Sequence, residues 1–529
     1  RVTNLGGTAY LGDDGTYTYQ GERTGGAIAD SMGLFVQDSW RWKPNLTINA
    51  GVRYQVQFPM TTTFQYSRPE TWQMVYGITG AGSGLLGRGN LYKPGTMTGT
   101  NPVVIAYDDE NSAYNTDWNN IAPSVGATWR PNIGDGFWSK ILSSDPVLRG
   151  GYSISFNQLG TSFFTSNYGT NPGRTRAADR GVTAGTPTIG AAGWPVLLRD
   201  TARLYPSAFP DAPAYPLTPA INESIDIHYP DWPVTKTHQY SIGIQRELGK
   251  SMALDVRYVG NTNVSGWTTW NMNSPAQWSI LENGFYDEYQ KARANLHANI
   301  VAGQGNTFAY TGAPGTSPLP IFQAYFAGTP LADGANQNPA NYTSANYKSS
   351  SWYNNLALYQ TITNVNSSPM TTIAGTGTSG LQNGIGTGTS FDANRIKAGL
   401  PINFFMANPA IALGNAYLET NVGNTQYNAM QIELRRRMSN GLLVQGSYSY
   451  AFGRKGYSWR TLREDWHYVP GMGGPDHAFK LNWVYELPFG QGKKWGSGAS
   501  TLLNAFIGGW EWDGVTRVQT GQKFNFGGF

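Results

Sequence analysis

No cysteine occurs in this chain, which excludes disulfides and thiolate metal sites and suits passage through an oxidising compartment. Charge is scarce: 13% of residues are Asp, Glu, Lys or Arg, about half the share usual in soluble domains. The 37 basic and 33 acidic residues leave a net charge of only +4, without the basic excess that marks nucleic-acid binding. Long apolar runs are missing too. No stretch approaches the roughly 18 consecutive apolar residues of a transmembrane helix. Arg1 is not an initiator and no charged, apolar-cored leader opens the sequence, so a processed chain or a fragment is expected.

What the chain has instead is glycine, aromatic residues and strict alternation. There are 66 Gly, 31 Tyr and 18 Trp, a composition suited to close strand packing and to aromatic girdles at two membrane interfaces. From Leu46 to Val56 the even positions (Leu46, Ile48, Ala50, Val52, Tyr54, Val56) are apolar or aromatic, and the odd ones are polar, charged or glycine. Period two describes a strand with one oily and one wet face. About ten residues is the length at which a tilted strand crosses a bilayer. Because unpaired backbone groups in hydrocarbon are too costly, only helices or closed barrels span membranes. The expected fold is therefore all-β, a transmembrane antiparallel barrel or part of one.

Ten such spans group into five hairpins. They join 32–41 to 46–57 through Lys43-Pro44-Asn45, 119–130 to 147–157, and 238–248 to 252–260 through Gly249-Lys250-Ser251. The fourth joins 427–438 to 442–451 through Ser439-Asn440-Gly441, where Asn-Gly is a strong hairpin signal. The fifth joins 477–487 to 510–520 through a longer basic connection. Between hairpins run far longer segments, 58–118, 158–237, 261–426 and 452–476. Short turns on one side and long loops on the other is the asymmetry of an outer-membrane barrel, with the short side periplasmic. Residues 1–30 read as a lead-in and 31–529 as the barrel segment. The 261–426 stretch, rich in Gly, Asn, Ser and Thr with scattered aromatics, reads as an extracellular cap that folds on itself.

Alternation also sorts the charges. Arg53, Arg149, Arg257, Glu433, Arg435, Arg437 and Arg517 fall on the wet face, expected to point into a lumen and pair with acidic wall residues or a plug. Arg436 falls on the oily face, where a mid-bilayer arginine would cost about 2–4 kcal/mol. It lies four residues before Asn440, close enough to a turn to reach the headgroups.

These phrases resemble the barrel of TonB-dependent outer-membrane receptors, particularly the Oar-like group. The residues that carry the resemblance are Gly33-Leu34-Phe35-Val36-Gln37-Asp38-Ser39-Trp40, Val147-Leu148-Arg149-Gly150-Gly151-Tyr152, Tyr240 to Leu248, Tyr427-Asn428-Ala429-Met430-Gln431 and Tyr485-Glu486-Leu487-Pro488-Phe489-Gly490. The resemblance covers about residues 31–523. It implies a barrel of about 22 strands closed by a plug, which binds a ligand outside and draws energy from the TonB complex through that plug. Nothing before residue 31 resembles a plug, and ten spans are visible, so the chain is expected to be an internal piece of a longer polypeptide. The partners implied are outer-membrane lipid, an extracellular ligand and TonB. A surface scaffold or an unplugged pore are the alternative readings.

No enzyme signature stands beside this. Gly375-Thr376-Gly377-Thr378-Ser379-Gly380 matches the dinucleotide fingerprint by letter but lacks its strand, helix and acidic partner. Gly243 to Ser251 is one residue too long for a phosphate loop. The five histidines (His228, His238, His297, His467, His477) have no metal-ligand spacing. Asp108, Asp109 and Glu110 form the best candidate for calcium, a hard cation that takes oxygen ligands. Otherwise no cofactor is expected. In the long loops Trp267, Trp270, Trp278, Tyr286 and Tyr289 either stack on a ligand or pack the cap.

Overall fold

The computed structural model describes residues 7–521 except 13, 20–24, 63–64, 83–94, 109–111, 113, 135, 138–144, 179–211, 275–279, 281, 359–367, 376–379, 386–388, 454, 459–466 and 471–473. Ten long strands form one antiparallel sheet. They are β1 (Ser31–Lys43), β2 (Leu46–Gln57), β3 (Ile121–Trp129), β4 (Val147–Phe156), β5 (Lys236–Leu248), β6 (Met252–Asn271), β7 (Ala416–Ser439), β8 (Leu442–Ala451), β9 (His477–Glu486) and β10 (Glu511–Gln519). Each pairs with its sequence neighbours, so the sheet runs from β1 to β10 in chain order. Among the described residues no ladder joins β10 back to β1. The sheet is an open antiparallel wall, and the closure and full strand number that the resemblance implies are not seen in it.

The register shows why this sequence makes such a wall. One row across the sheet reads Leu46, Trp129, Leu148, Ile244, Val256, Ile432, Tyr448, Phe479 and Val518. The next reads Thr47, Thr128, Arg149, Gly243, Arg257, Gln431, Ser449, Ala478 and Gln519. Period-two side chains thus separate an apolar face from a polar one from β2 to β10. Much of the apolar face is open among the described residues: Leu34 is 62% exposed, Val36 71% and Ile242 63%. In water such a surface would be an aggregation hazard; against lipid it is a matched solvent.

Aromatic residues mark two levels on that face. Trp40, Trp42, Trp129, Trp483, Tyr485 and Trp512 lie toward the end of the sheet that carries the tight turns, while Tyr152, Tyr240, Tyr258 and Tyr450 stand further along their strands. Amphipathic rings favour the two headgroup levels. Arg436 Nη2 donates to the turn carbonyl of Ser439 at 3.1 Å.

Strands β6 and β7 have 20 and 24 residues, well beyond the roughly 9–11 that span a bilayer. Their ladder is irregular between Asn263 and Thr268, and Ser265 there has a φ of +58°. Beyond this bulge the pair continues away from the rest of the wall. The short strand Ile225–His228 joins the far end of β7 in parallel. Around this extension the long connections fold together. Val75, Tyr76 and Val104 from one, Ile225 and Ile227 from the next, and Trp270, Ala407 and Ile411 from a third share one buried cluster.

The sequence reading did not anticipate helices in the cap. The chain between β6 and β7 folds into α2 (Phe285–Val301), α3 (Pro320–Ala327), α4 (Ser350–Ala357), α5 (Ser368–Ala374) and α6 (Ser390–Lys397), following α1 (Thr161–Tyr168) in an earlier connection. They enclose an aromatic core that includes Phe285, Phe308, Phe322, Tyr347, Trp352 and Phe405. Asparagine, which reads as loop in the sequence, staples this core. Asn295 Nδ2 donates to the carbonyls of Phe308 and Ser317 at 3.2 and 2.8 Å. Asn299 Nδ2 reaches those of Thr307 and Ala309, both at 2.9 Å.

Candidate functional site

Two polar assemblies stand out, one on the wall and one beneath the cap. On the wall, Arg53, Arg149, Arg257, Glu433, Arg435 and Arg517 all lie on the polar face, and Arg437 falls within the register shift that follows Arg436. Arg149 Nη2 stands 3.4 Å from Asp255 Oδ2 and also donates to Gln245 Oε1. Arg257 Nε donates to Gln431 Oε1 at 2.8 Å. Glu433 Oε1 accepts from Arg435 Nε at 2.7 Å and Gln445 Nε2 at 2.9 Å. Arg517 Nε donates to Gln519 Oε1 at 2.8 Å. Arg53 lies against Gly33, where a Cβ would come within 2.9 Å of its Nη2. The Arg437 backbone N–H donates to the Ser251 carbonyl at 2.9 Å. A cleft of about 940 Å³ opens on the same face, lined by side chains such as Gln37, Ser124, Ser153, Gln239, Asn261 and Tyr427. These are donors and acceptors lining an open groove on the polar face.

The second assembly was missed in the sequence. Where Ile225–His228 pairs with β7, Asp226, His228 and Glu419 are all buried. Glu419 accepts from Thr269 Oγ1 at 2.7 Å and from the Trp267 indole. His228 Nδ1 and the Tyr168 hydroxyl share a 2.7 Å bond. Burial, and Glu419 beside it, push the Asp226 carboxyl well above its usual range, while burial raises Glu419. Burial alone lowers His228 to about 3. Asp226 Oδ1 has no hydrogen-bond partner among the described residues. Burial thus favours the neutral forms of Asp226, Glu419 and His228 alike. The assembly's signal in the sequence was the alternation of Ile225-Asp226-Ile227-His228 and Ala416-Tyr417-Leu418-Glu419. Each run is too short to stand out alone.

The remaining candidates are placed as follows. Trp267 and Trp270 lie on the extension of β6. The Trp270 ring is buried in the shared cluster, with Nε1 donating to Thr420 Oγ1 at 3.0 Å. Tyr289 is buried in the helical core, its hydroxyl donating to the Asn355 carbonyl at 3.1 Å, and Tyr286 packs partly buried against that core. Trp278 lies outside the described residues. Asp108 is exposed just after the strand Val104–Tyr107, and Asp109 and Glu110 lie outside the described residues, as do positions 376–379 of the glycine-rich loop. Among the described residues no group of three metal-binding side chains converges.

A family model described as "Outer membrane beta barrel domain" matches residues 7–528. No curated protein matches the chain in sequence. Similar solved structures include the hemophore receptor HasR of Serratia marcescens with its hemophore and heme (TM-score 0.34, 9% identity, covering 89% of this chain and 44% of that one). Others are the alcaligin outer-membrane receptor FauA of Bordetella pertussis (0.27, 7%, 88% and 35%) and the pyoverdine receptor FpvA of Pseudomonas aeruginosa PAO1 (0.29, 8%, 89% and 31%). The chain spans less than half the length of each.

Proposed function

Because this chain belongs to the outer membrane β-barrel domain family and resides in the outer membrane, we propose that it supplies wall and extracellular cap to a TonB-dependent receptor of the Oar-like group. In this reading the polar face lines the lumen, the apolar face meets lipid, and the folded cap meets the ligand. The ligand then passes along the lumen while a plug, contributed from outside this wall, is moved by the TonB complex.

One observation carries the reading: ten strands pair in chain order into one two-faced sheet, its register shifting only near strand ends and at the β6–β7 bulge, and it ends, on the long-connection side, in a cap with its own packed core. A wall that only anchored a scaffold would have no use for a charged, cleft-bearing inner face. The test uses the native polypeptide extracted from outer membranes in detergent. Its intact mass is expected to lie well above 57.7 kDa, and reconstituted in planar bilayers it should show almost no conductance. Steady conductance would instead mean an unplugged pore. Cross-linking in intact cells should recover TonB; stoichiometric surface partners without TonB would favour a scaffold.

A further inference from the structure

The last hairpin has an unusual foot. Between β9 and β10 the chain forms α7 (Thr501–Ile507) at the same end of the wall as the tight turns, since the Glu486 N–H donates to the carbonyl of Gly441 in the neighbouring turn at 2.7 Å. The foot is held together by polar bonds on one side of α7. Asn504 Oδ1 accepts from the Gln491 N–H at 2.7 Å, and Gln491 Nε2 donates to the Ala499 carbonyl at 2.8 Å. Ile507 turns the same way, toward Gly496. The opposite side of the helix is apolar and open. Leu502 is 77% exposed, Leu503 51% and Phe506 74%, and their spacing of three and four residues puts them on one helix face.

Direction comes from Trp510, whose indole Nε1 donates to the Phe506 carbonyl at 2.7 Å. Trp510 is two residues before Trp512, which pairs with Tyr485 on the apolar face of the wall, so both indoles lie on that side. The open face of α7 is thereby continuous with the lipid-facing surface at its aromatic level. Lys493 is bound to Glu486 at 2.7 Å, and Lys494 stands 5.6 Å from the Trp495 ring centre. Cations and indoles together suit the phosphate and carbonyl layer of a leaflet.

We propose that the connection between β9 and β10 is a lipid-interface foot: α7 lies along the headgroup layer at the short-turn end of the wall, with Leu502, Leu503 and Phe506 in the acyl boundary. Strand rows alone would hold the wall in the membrane; the foot fixes its depth and tilt at this edge.

The chain's lack of cysteine makes the test clean. Nitroxide labels are attached to Leu502→Cys and Phe506→Cys of the full chain in vesicles of phosphatidylethanolamine and phosphatidylglycerol. Ile242→Cys serves as the lipid reference and Lys250→Cys, in a tight turn, as the aqueous one. At both foot positions the ratio of collisions with oxygen to those with a water-soluble nickel chelate should lie clearly above that of the Lys250 label and at or below that of the Ile242 label. A ratio matching the Lys250 label overturns the proposal, and so does protection from both agents, which would mean that protein covers the helix. If the Ile242 label itself collides freely with nickel, the membrane-wall reading fails first. All four sites are exposed, so the labels disturb no core.

Discussion

Arg149 on β4 reaches across β5 to Asp255 on β6, with Nη2 and Oδ2 3.4 Å apart. Gly243 stands opposite both Arg149 and Arg257 in the intervening strand. A side chain there would crowd the Arg257 Cβ at 2.8 Å. The glycine leaves room for the arginines to lie over the sheet.

This pair is half-exposed and screened, so Arg149→Ala should cost less than about 1 kcal/mol of unfolding free energy. Gly243→Val should cost more, since it forces two neighbouring strands apart. Urea titrations in lipid vesicles compare the two; equal effects would mean that the glycine has no spacing role.

Adjacent residues of β6 should respond oppositely to charge. Val256→Arg puts a cation on the lipid face and should lower stability by about 2–4 kcal/mol. Arg257→Lys, on the polar face, should stay within about 1 kcal/mol of the parent. The same titrations decide, and a tolerated Val256→Arg would contradict the assignment of faces.

The cap should loosen as pH rises. Glu288 on α2 accepts the N–H groups of Ile321 and Phe322 at 2.9 and 2.8 Å, capping α3 from a distance. Burial raises its carboxyl from 4.5 to about 8, against the weaker pull of those bonds. The folded cap therefore keeps a proton that the unfolded chain has released. Its stabilising share is complete below pH 4.5 and is lost as pH climbs through about 8. Asp226 and Glu419 carry the same sign. His228, lowered to about 3, carries the opposite one, with its share complete above 6.5 and lost as pH falls toward 3. Hydrogen exchange across α2 and α3, corrected for intrinsic rates, should show less protection at about pH 8.5 than at about 6.5. Glu288→Gln should flatten that difference while weakening one of the two capping bonds.

The wall was legible in the sequence because its physics is local. Leu46 to Val56 alternates within one strand, and Asn440-Gly441 closes a hairpin by turn chemistry alone. Each span could be read without knowing its partner. The cap was not legible for the opposite reason. Asn295 and Asn299 look like loop residues until the carbonyls they bind, such as Phe308 and Thr307, are brought beside them. Asp226 and Glu419 lie almost two hundred positions apart in the chain and meet only through the parallel pairing of short strands. The foot at α7 falls between these cases: its basic connection was visible, but the open face of Leu502 and Phe506 depends on how Asn504 ties the helix down.

The most direct test of the two-faced wall is a single-cysteine scan along β6 in outer membranes from intact cells, using a water-soluble maleimide. Positions 255, 257 and 259 should label and positions 254, 256 and 258 should not. Uniform labelling, or labelling of the even positions, would contradict the account.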